Sequence, residues 1–160
     1  MKRGTTLFLK TAVILIGIPI LALCLFVVPK FGNFAGGLYP ELAYIKPLVF
    51  IDMYAAAIPF YFALYQVFKI LGNIDRNQAF SELSVKALKK IKYCAITISS
   101  LYLLGMPLYS LLARRVDPPI ITGPAFVIIF ASIVIAVFAA VLQRLLQEAI
   151  NMKAENDLTI

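Results

Sequence analysis

Asp52 is the acidic residue that lies inside a long apolar stretch of this sequence, and its carboxylate is the group best placed to do chemistry there. An ionisable side chain in a membrane helix costs about 2.5–3.5 kcal/mol on insertion scales, so it marks a functional site by default. Asp52 follows Pro47 by five residues, about 7–8 Å along a helix, which places it near the outer interface. We therefore expect an ion pair with Arg114 or Arg115. A proton-coupling or substrate-binding carboxylate is the alternative.

Three tyrosines follow Asp52 in the same apolar stretch. Tyr54, Tyr61 and Tyr65 are spaced by 7 and 4 residues, so they share one face of a helix. Facing the interior of a bundle, they could line a polar cavity. Facing a neighbouring helix, they would pack against it and offer a hydroxyl group. We prefer the packing interpretation.

The sequence offers no set of residues for catalysis, and we expect that the protein is not an enzyme. It contains no histidine, which removes histidine-based triads and histidine metal sites. A phosphate-binding loop of the Gly-x-x-x-x-Gly-Lys type is absent. An intramembrane carboxylate pair would need a second acidic residue beside Asp52. We accordingly expect no cofactor and no metal.

Four apolar segments position these residues, and each is long enough to cross a bilayer, which takes about 20 helical residues. Hydrophobic residues make up 62% of the chain and charged residues 14%, against about 45–50% and 25% in soluble domains. The sequence therefore predicts an all-α membrane protein with one domain, residues 1–160, in which four transmembrane helices form an antiparallel bundle. The predicted spans cover residues 11–28, 47–71, 93–113 and 121–143.

The positions of the basic residues predict how the chain crosses the membrane. Four of them fall on one side, namely Lys30, Lys46, Arg114 and Arg115. Eleven fall on the other side, namely Lys2, Arg3, Lys10, Lys69, Arg76, Lys86, Lys89, Lys90, Lys92, Arg144 and Lys153. This bias predicts a multi-pass protein of the cell membrane with both termini in the cytoplasm. The net charge of +7 then indicates contact with anionic lipid headgroups rather than direct binding of nucleic acid.

Three of the predicted spans contain a proline two residues after a small residue, at Pro19, Pro59 and Pro107. Proline removes a hydrogen bond from a helix and usually kinks it. The prolines could therefore act as hinges around a central cavity, as in small transporters. Alternatively, they simply accompany close packing of membrane helices. We favour close packing.

A basic amphipathic helix is predicted over residues 75–92, on the cytoplasmic side. Asp75 and Gln78 resemble a helix-start signature, and Glu82 could pair with Lys86 one turn later. Apolar residues follow at helical spacing, namely Phe80, Leu83, Ala87 and Ile91. We expect this helix to run into the third span without a break.

The fourth span is also expected to continue into the cytoplasm, so the extensions of spans three and four should meet. Opposite charges then face each other, namely Lys86, Lys89 and Lys90 on one helix with Glu148 and Glu155 on the other. The pair is either a self-contained helical hairpin or a docking surface for a cytoplasmic partner. A second copy of this chain is a further possible partner.

The chain resembles a family of small four-span bacterial membrane proteins that is known only as a domain of unknown function. The resemblance rests on the span layout and on three segments, residues 77–80, 88–92 and 154–160. Family members are commonly encoded beside a small helix-turn-helix regulator of the Cro/C1 type. The resemblance therefore implies a membrane component that restrains or releases its regulator, and it supplies no catalytic or ligand-binding residues.

Three functions are compatible with these features. The first is a non-enzymatic regulatory or interaction protein whose cytoplasmic helices contact a partner. The second is a small transporter or immunity-type protein with a ligand cavity that reaches Asp52 and Tyr61. The third is an accessory subunit of a larger membrane complex. We favour the first, partly on the analogy with the family.

Overall fold

Helices run through most of the chain. The computed structural model describes residues 3–116 and 118–158. In it, α1 (Arg3–Ala22) continues through a π-helical turn (Leu23–Val27) into α2 (Val28–Leu38). We call this continuous stretch the N-terminal rod. Three more helices follow, namely α3 (Ile45–Asp75), α4 (Glu82–Ala113) and α5 (Pro118–Leu158). Lys2, which entered the charge comparison, and Thr159 and Ile160, which entered the family resemblance, lie outside the described residues.

Within the described residues, four stretches of helix are long and apolar enough to cross a membrane, with mean hydropathies from 1.5 to 3.1. Their large apolar side chains point outward, as Ile58, Leu104 and Phe130 show with 72%, 80% and 71% exposure. Apolar surface on this scale is not stable in water, so it faces lipid. The prediction of an all-α membrane protein with four spanning helices is confirmed.

The helices pack in the order of the chain. α4 lies between α3 and α5, and the N-terminal rod packs on α3. α3 and α4 run antiparallel. Asn73 Nδ2 lies 3.3 Å from Ser84 Oγ, and Asp52 meets Gly105 about six turns earlier in α3 and about six turns later in α4. Among the described residues, the N-terminal rod and α5 share at most a marginal contact. Their outer flanks therefore face lipid.

The two ends of the bundle differ in character. At the end that we call the loop end, α2, residues 39–44 and the adjoining ends of α3, α4 and α5 enclose a buried cluster. It comprises Ala35, Tyr39, Ile45, Val49, Tyr109, Leu112, Ala113, Ile121 and Ala125. At the opposite end α1 begins and α5 ends, and Lys10 Nζ lies 3.0 Å from Asp75 Oδ2. We call this the basic end, after Lys69, Lys86, Lys89, Lys90 and Lys92.

The connection between α3 and α4 differs from the single helix predicted over residues 75–92. α3 continues to Asp75, beyond the end of the predicted second span at residue 71. It ends in a Schellman turn, in which the N–H of Gln78 donates to the carbonyl of Asn73 at 2.7 Å. Asn77 has a φ of 59°, a left-handed conformation that asparagine tolerates. α4 then begins at Glu82. The predicted helix start is therefore wrong, because that part of the chain ends one helix before beginning the next.

Tertiary contacts explain why the helix-start signal misled. The carboxylate of Asp75 accepts a hydrogen bond from Lys10. Asp75 therefore connects α3 to α1, whereas the prediction placed it at the start of a new helix. The predicted apolar face is also only half buried. Phe80 and Leu83 are exposed, whereas Ala87 and Ile91 are buried. The expectation that this helix continues unbroken into the third span is confirmed, since α4 extends to Ala113.

Candidate functional site

The intramembrane site is built around Asp52, which lies about two turns after the start of α3. Its Oδ2 accepts a hydrogen bond of 2.6 Å from the hydroxyl of Tyr109 on α4. Tyr109 is 2% exposed, so the bond lies inside the bundle. A length of this kind is typical of a hydroxyl that donates to a carboxylate. The acidic residue therefore joins two helices.

The predicted ion pair between Asp52 and Arg114 or Arg115 is not what the structure shows. Arg115 Nη2 lies 3.0 Å from Glu41 Oε1, and the guanidinium lies 4.0 Å from the ring centroid of Tyr39. Arg114 is exposed. The loop over residues 39–44 packs against the end of α4, so this loop binds the arginine. The prediction assumed that residues at a similar depth in the membrane would be in contact. Asp52 and the two arginines are at a similar depth, but they do not pair.

Gly105 allows the carboxylate to rest directly on the backbone of α4. A Cβ atom at this position would lie 2.8 Å from Asp52 Oδ2 and 3.1 Å from Asp52 Cγ. Real Cβ atoms essentially never approach other atoms so closely. Since Oδ2 is already held by a tyrosine hydroxyl, the carboxylate has little freedom to move away. At this distance between α3 and α4, any side chain at position 105 would therefore displace the Asp52 carboxylate.

Tyr102 completes the group, and it was missed from the sequence together with Tyr109. The rings of Tyr102 and Tyr109 stack with centroids 6.1 Å apart and an interplanar angle of 19°. Tyr102, Gly105 and Tyr109 follow one another at spacings of 3 and 4 residues, which places them on one helical face. This tyrosine–glycine–tyrosine spacing is the signal that could have identified them. We call Asp52 with these three residues the Asp52 cluster.

Tyr54 compensates a break in the hydrogen bonding of the N-terminal rod. In the π-helical turn, the N–H of Val28 bonds to the carbonyl of Leu23, and the next residue, Pro29, has no N–H. The carbonyl of Cys24 therefore lacks both donors that could reach it from its own helix. The hydroxyl of Tyr54 donates to this carbonyl at 2.7 Å. Such a bond is what makes a helix break tolerable in lipid.

Replacing Tyr54 with phenylalanine is expected to lower the free energy of unfolding by about 1 kcal/mol, because it leaves the Cys24 carbonyl without a donor. The melting temperature of the detergent-solubilised protein should fall by about 2–4 °C. Tyr65→Phe is the matched control, since Tyr65 is more than half exposed and should tolerate the loss of its hydroxyl. Equal melting temperatures for the two variants would contradict this role of Tyr54.

Tyr61 also joins α3 to the N-terminal rod. Its hydroxyl donates to the carbonyl of Gly17 at 2.8 Å, and a Cβ atom on that glycine would lie 3.3 Å from a leucine of α3. Tyr65 behaves differently, because its exposed ring lies 5.1 Å from Lys69 Nζ. Both Tyr54 and Tyr61 thus bond to backbone across a helix contact. This geometry supports the packing interpretation for these two residues.

The three prolines proposed as hinges all lie inside helices that continue beyond them. Pro19 is in α1, Pro59 in α3 and Pro107 in α4. The π-helical turn begins at Leu23, one turn after Pro19, and such turns often mark functional or strained positions. Pro59 lines an apolar groove between α3 and α4. Hinge motion at these prolines stays a prediction.

The candidate partner surface lies at the basic end of α4 and α5. All five of its predicted residues are exposed, namely Lys86, Lys89, Lys90, Glu148 and Glu155. Glu148 lies 3.8 Å from Arg144 on its own helix. Within residues 3–116 and 118–158, no acidic side chain forms a salt bridge with the three lysines. The two helices meet, but their opposite charges are not paired across the contact.

A polar contact and a groove mark the place where α4 and α5 meet. Gln147 Nε2 donates to Glu82 Oε1 at 2.9 Å, so Glu82 contacts α5 instead of forming the predicted pair with Lys86. Beside this contact lies a groove of about 370 Å³. It is lined by Lys92, Ala140, Gln143, Arg144, Gln147 and Glu148. The extensions of the third and fourth spans at the basic end therefore form a joined helical pair with an open, charged groove.

Comparison with known proteins agrees with this architecture. The family model described as "Protein of unknown function (DUF2975)" matches residues 30–160. The chain is also 64% identical over 160 residues to the "Uncharacterized membrane protein YoaS" of Bacillus subtilis (strain 168), with full coverage of both chains. No solved structure matches. The chain therefore belongs to the DUF2975 family, whose function is unknown.

Proposed function

We propose that this protein is a non-enzymatic regulatory component of a bacterial cell membrane, with both termini in the cytoplasm, which binds a cytoplasmic protein through α4 and α5. The unpaired basic surface at their shared end carries this proposal. Lys86, Lys89 and Lys90 are exposed, and the described part of the chain gives them no acidic salt-bridge partner. Such a surface is complementary in charge to an acidic partner.

The length of α5 adds support. Its 41 residues extend over about 60 Å, which is twice the thickness of the hydrocarbon core. A large part of this helix therefore projects beyond the membrane. Residues 151–158 are helical and all exposed, Met152 and Leu158 among them. A projecting helix with free apolar side chains can dock into a groove of a partner protein.

A small helix-turn-helix regulator is the partner that the family resemblance favours. An acidic face on such a regulator would meet the three lysines of α4, and binding would hold it at the membrane, away from DNA. The protein itself would then make no direct contact with nucleic acid. The signal that changes this binding would act through the membrane helices or through α5.

Reversing the basic surface is expected to abolish capture of the regulator. In the triple variant Lys86→Glu, Lys89→Glu and Lys90→Glu, like charges would face an acidic partner at a cost of several kcal/mol. Affinity should fall by about a hundredfold or more. The measurement is co-purification of a co-expressed helix-turn-helix regulator of the Cro/C1 type with the tagged membrane protein from solubilised membranes.

A control with the same change of charge separates a local effect from a general one. Lys30→Glu, Lys46→Glu and Arg114→Glu alter exposed residues toward the loop end and should leave the complex intact. Intact complex in the Lys86, Lys89 and Lys90 variant would overturn the proposed docking surface. So would equal loss of complex in both triple variants.

A further inference from the structure

A second groove lies between α3 and α4, on a different side of α4 from α5. Its volume is about 340 Å³. It is lined by Ile58, Pro59, Phe62, Lys90, Tyr93, Cys94 and Thr97. The hydroxyl of Thr97 donates to the carbonyl of Tyr93 at 2.8 Å, so this polar group is satisfied inside α4. The groove therefore presents an almost wholly apolar surface with one cation, Lys90.

A second cation lies on the same side of the helix pair. Ile58, Phe62, Tyr65 and Lys69 are spaced by 4, 3 and 4 residues, which makes them one face of α3. All four are exposed, and Lys69 Nζ lies 5.1 Å from the ring centroid of Tyr65. Ile58 and Phe62 on this face of α3 form one wall of the groove. The same face continues to the ammonium group of Lys69 at the basic end.

The two lysines lie at similar depth. Asn73 of α3 contacts Ser84 of α4, and Lys69 and Lys90 are four and six residues from that contact on the membrane side. Lys69 is seven residues from Phe62, about 10 Å along the helix. Long lysine side chains extend from such positions to the headgroup region. The apolar part of the groove thus lies in hydrocarbon, and its charged end lies at the headgroups.

This combination matches one phospholipid with an anionic headgroup. An acyl chain is complementary to the apolar walls, and basic pockets between transmembrane helices bind anionic headgroups. No acidic residue is among the side chains that line the groove, so nothing there offsets the cations. A zwitterionic lipid would bring its own cation close to Lys69 and Lys90.

We propose that the groove between α3 and α4 binds an anionic phospholipid, with an acyl chain against Pro59, Phe62 and Cys94 and the phosphate between Lys69 and Lys90. The site belongs to the leaflet that meets the basic end. The site shares Lys90 with the proposed docking surface, but it needs no protein partner and can be tested on the isolated protein.

Tryptophan fluorescence can measure which lipid occupies the groove, because the chain contains no tryptophan. The variant Phe62→Trp places a single fluorophore in the groove. If this variant folds poorly, Ile58→Trp replaces it, since the side chain of Ile58 is 72% exposed and leaves room for a larger one. Each is reconstituted in phosphatidylcholine vesicles with a small fraction of brominated phosphatidylglycerol or brominated phosphatidylcholine. We expect quenching to show about a tenfold preference for phosphatidylglycerol at the groove.

Phe138→Trp is the matched control, since Phe138 is an exposed aromatic residue of α5 and should show no such preference. Adding Lys69→Gln and Lys90→Gln should remove the preference at Phe62→Trp, whereas Lys30→Gln and Lys46→Gln should not. Equal quenching by both lipids at the groove would overturn the proposal. A preference for phosphatidylglycerol that survives the loss of both lysines would also overturn it. So would tryptophan fluorescence that no brominated lipid quenches, which is the result expected if a second copy of the chain covers the groove.

Discussion

Replacing Gly105 with leucine is expected to lower the free energy of unfolding by about 2 kcal/mol, through overpacking. The melting temperature of the detergent-solubilised protein should then fall by about 4–8 °C. The reason is steric, since even a Cβ atom here would lie 2.8 Å from Asp52 Oδ2. Withdrawal of the carboxylate would disturb its hydrogen bond with Tyr109. The rest of the leucine side chain would push α3 and α4 apart.

Gly37 provides a control of the same chemistry, because it lies in α2 and a Cβ atom there would meet nothing within 4 Å. Gly37→Leu should leave stability unchanged or raise it by up to about 1 kcal/mol, since leucine is the better helix former. A double-mutant cycle with Asp52→Ala tests the contact itself. We expect a coupling of at least about 1 kcal/mol between Gly105→Leu and Asp52→Ala. Simple additivity of the two effects would contradict the Asp52 cluster as described.

The four spans could be read from the sequence because crossing a bilayer is a requirement on each helix separately. Length and apolar composition are local properties, and lipid leaves the backbone few other conformations. The ends of the helices were harder to place. The first span was predicted over residues 11–28, whereas helix runs from Arg3 to Leu38. Helical hydrogen bonding does not stop where the hydrocarbon stops.

The lateral neighbours of polar residues could not be read in the same way. Asp52 and Arg115 share a side of the membrane, but Tyr39 and Glu41 contact the arginine and Tyr109 contacts the carboxylate. Depth follows from distance along one helix. Contact depends on which faces of two helices meet, and hydropathy does not determine that.

The start of α4 shows how a local signal can lose to a tertiary contact. Asp75 carries the side chain of a good helix start, yet Lys10 from α1 binds it and α3 continues to that residue. The turn is instead made by Asn77 in a left-handed conformation. Asparagine in a short polar segment is the sequence signal for this ending, and it carries more weight than the capping pattern.

The proposed function depends on the basic end lying in the cytoplasm, where a regulator could reach α4 and α5. The distribution of basic residues, eleven against four, predicts this orientation by the positive-inside rule. Single cysteines can test it once Cys24 and Cys94, both free thiols, are replaced by serine. Lys153→Cys then places a thiol in the exposed end of α5, and Gly37→Cys places one at the exposed loop end.

The decisive measurement is labelling of these two variants in intact, wall-free cells with a maleimide that cannot cross membranes. The thiol of Gly37→Cys should react in intact cells, and the thiol of Lys153→Cys should react only after lysis, with equal labelling of both in lysed cells. Labelling of Lys153→Cys in intact cells would place α5 outside and contradict the proposed docking of a cytoplasmic partner.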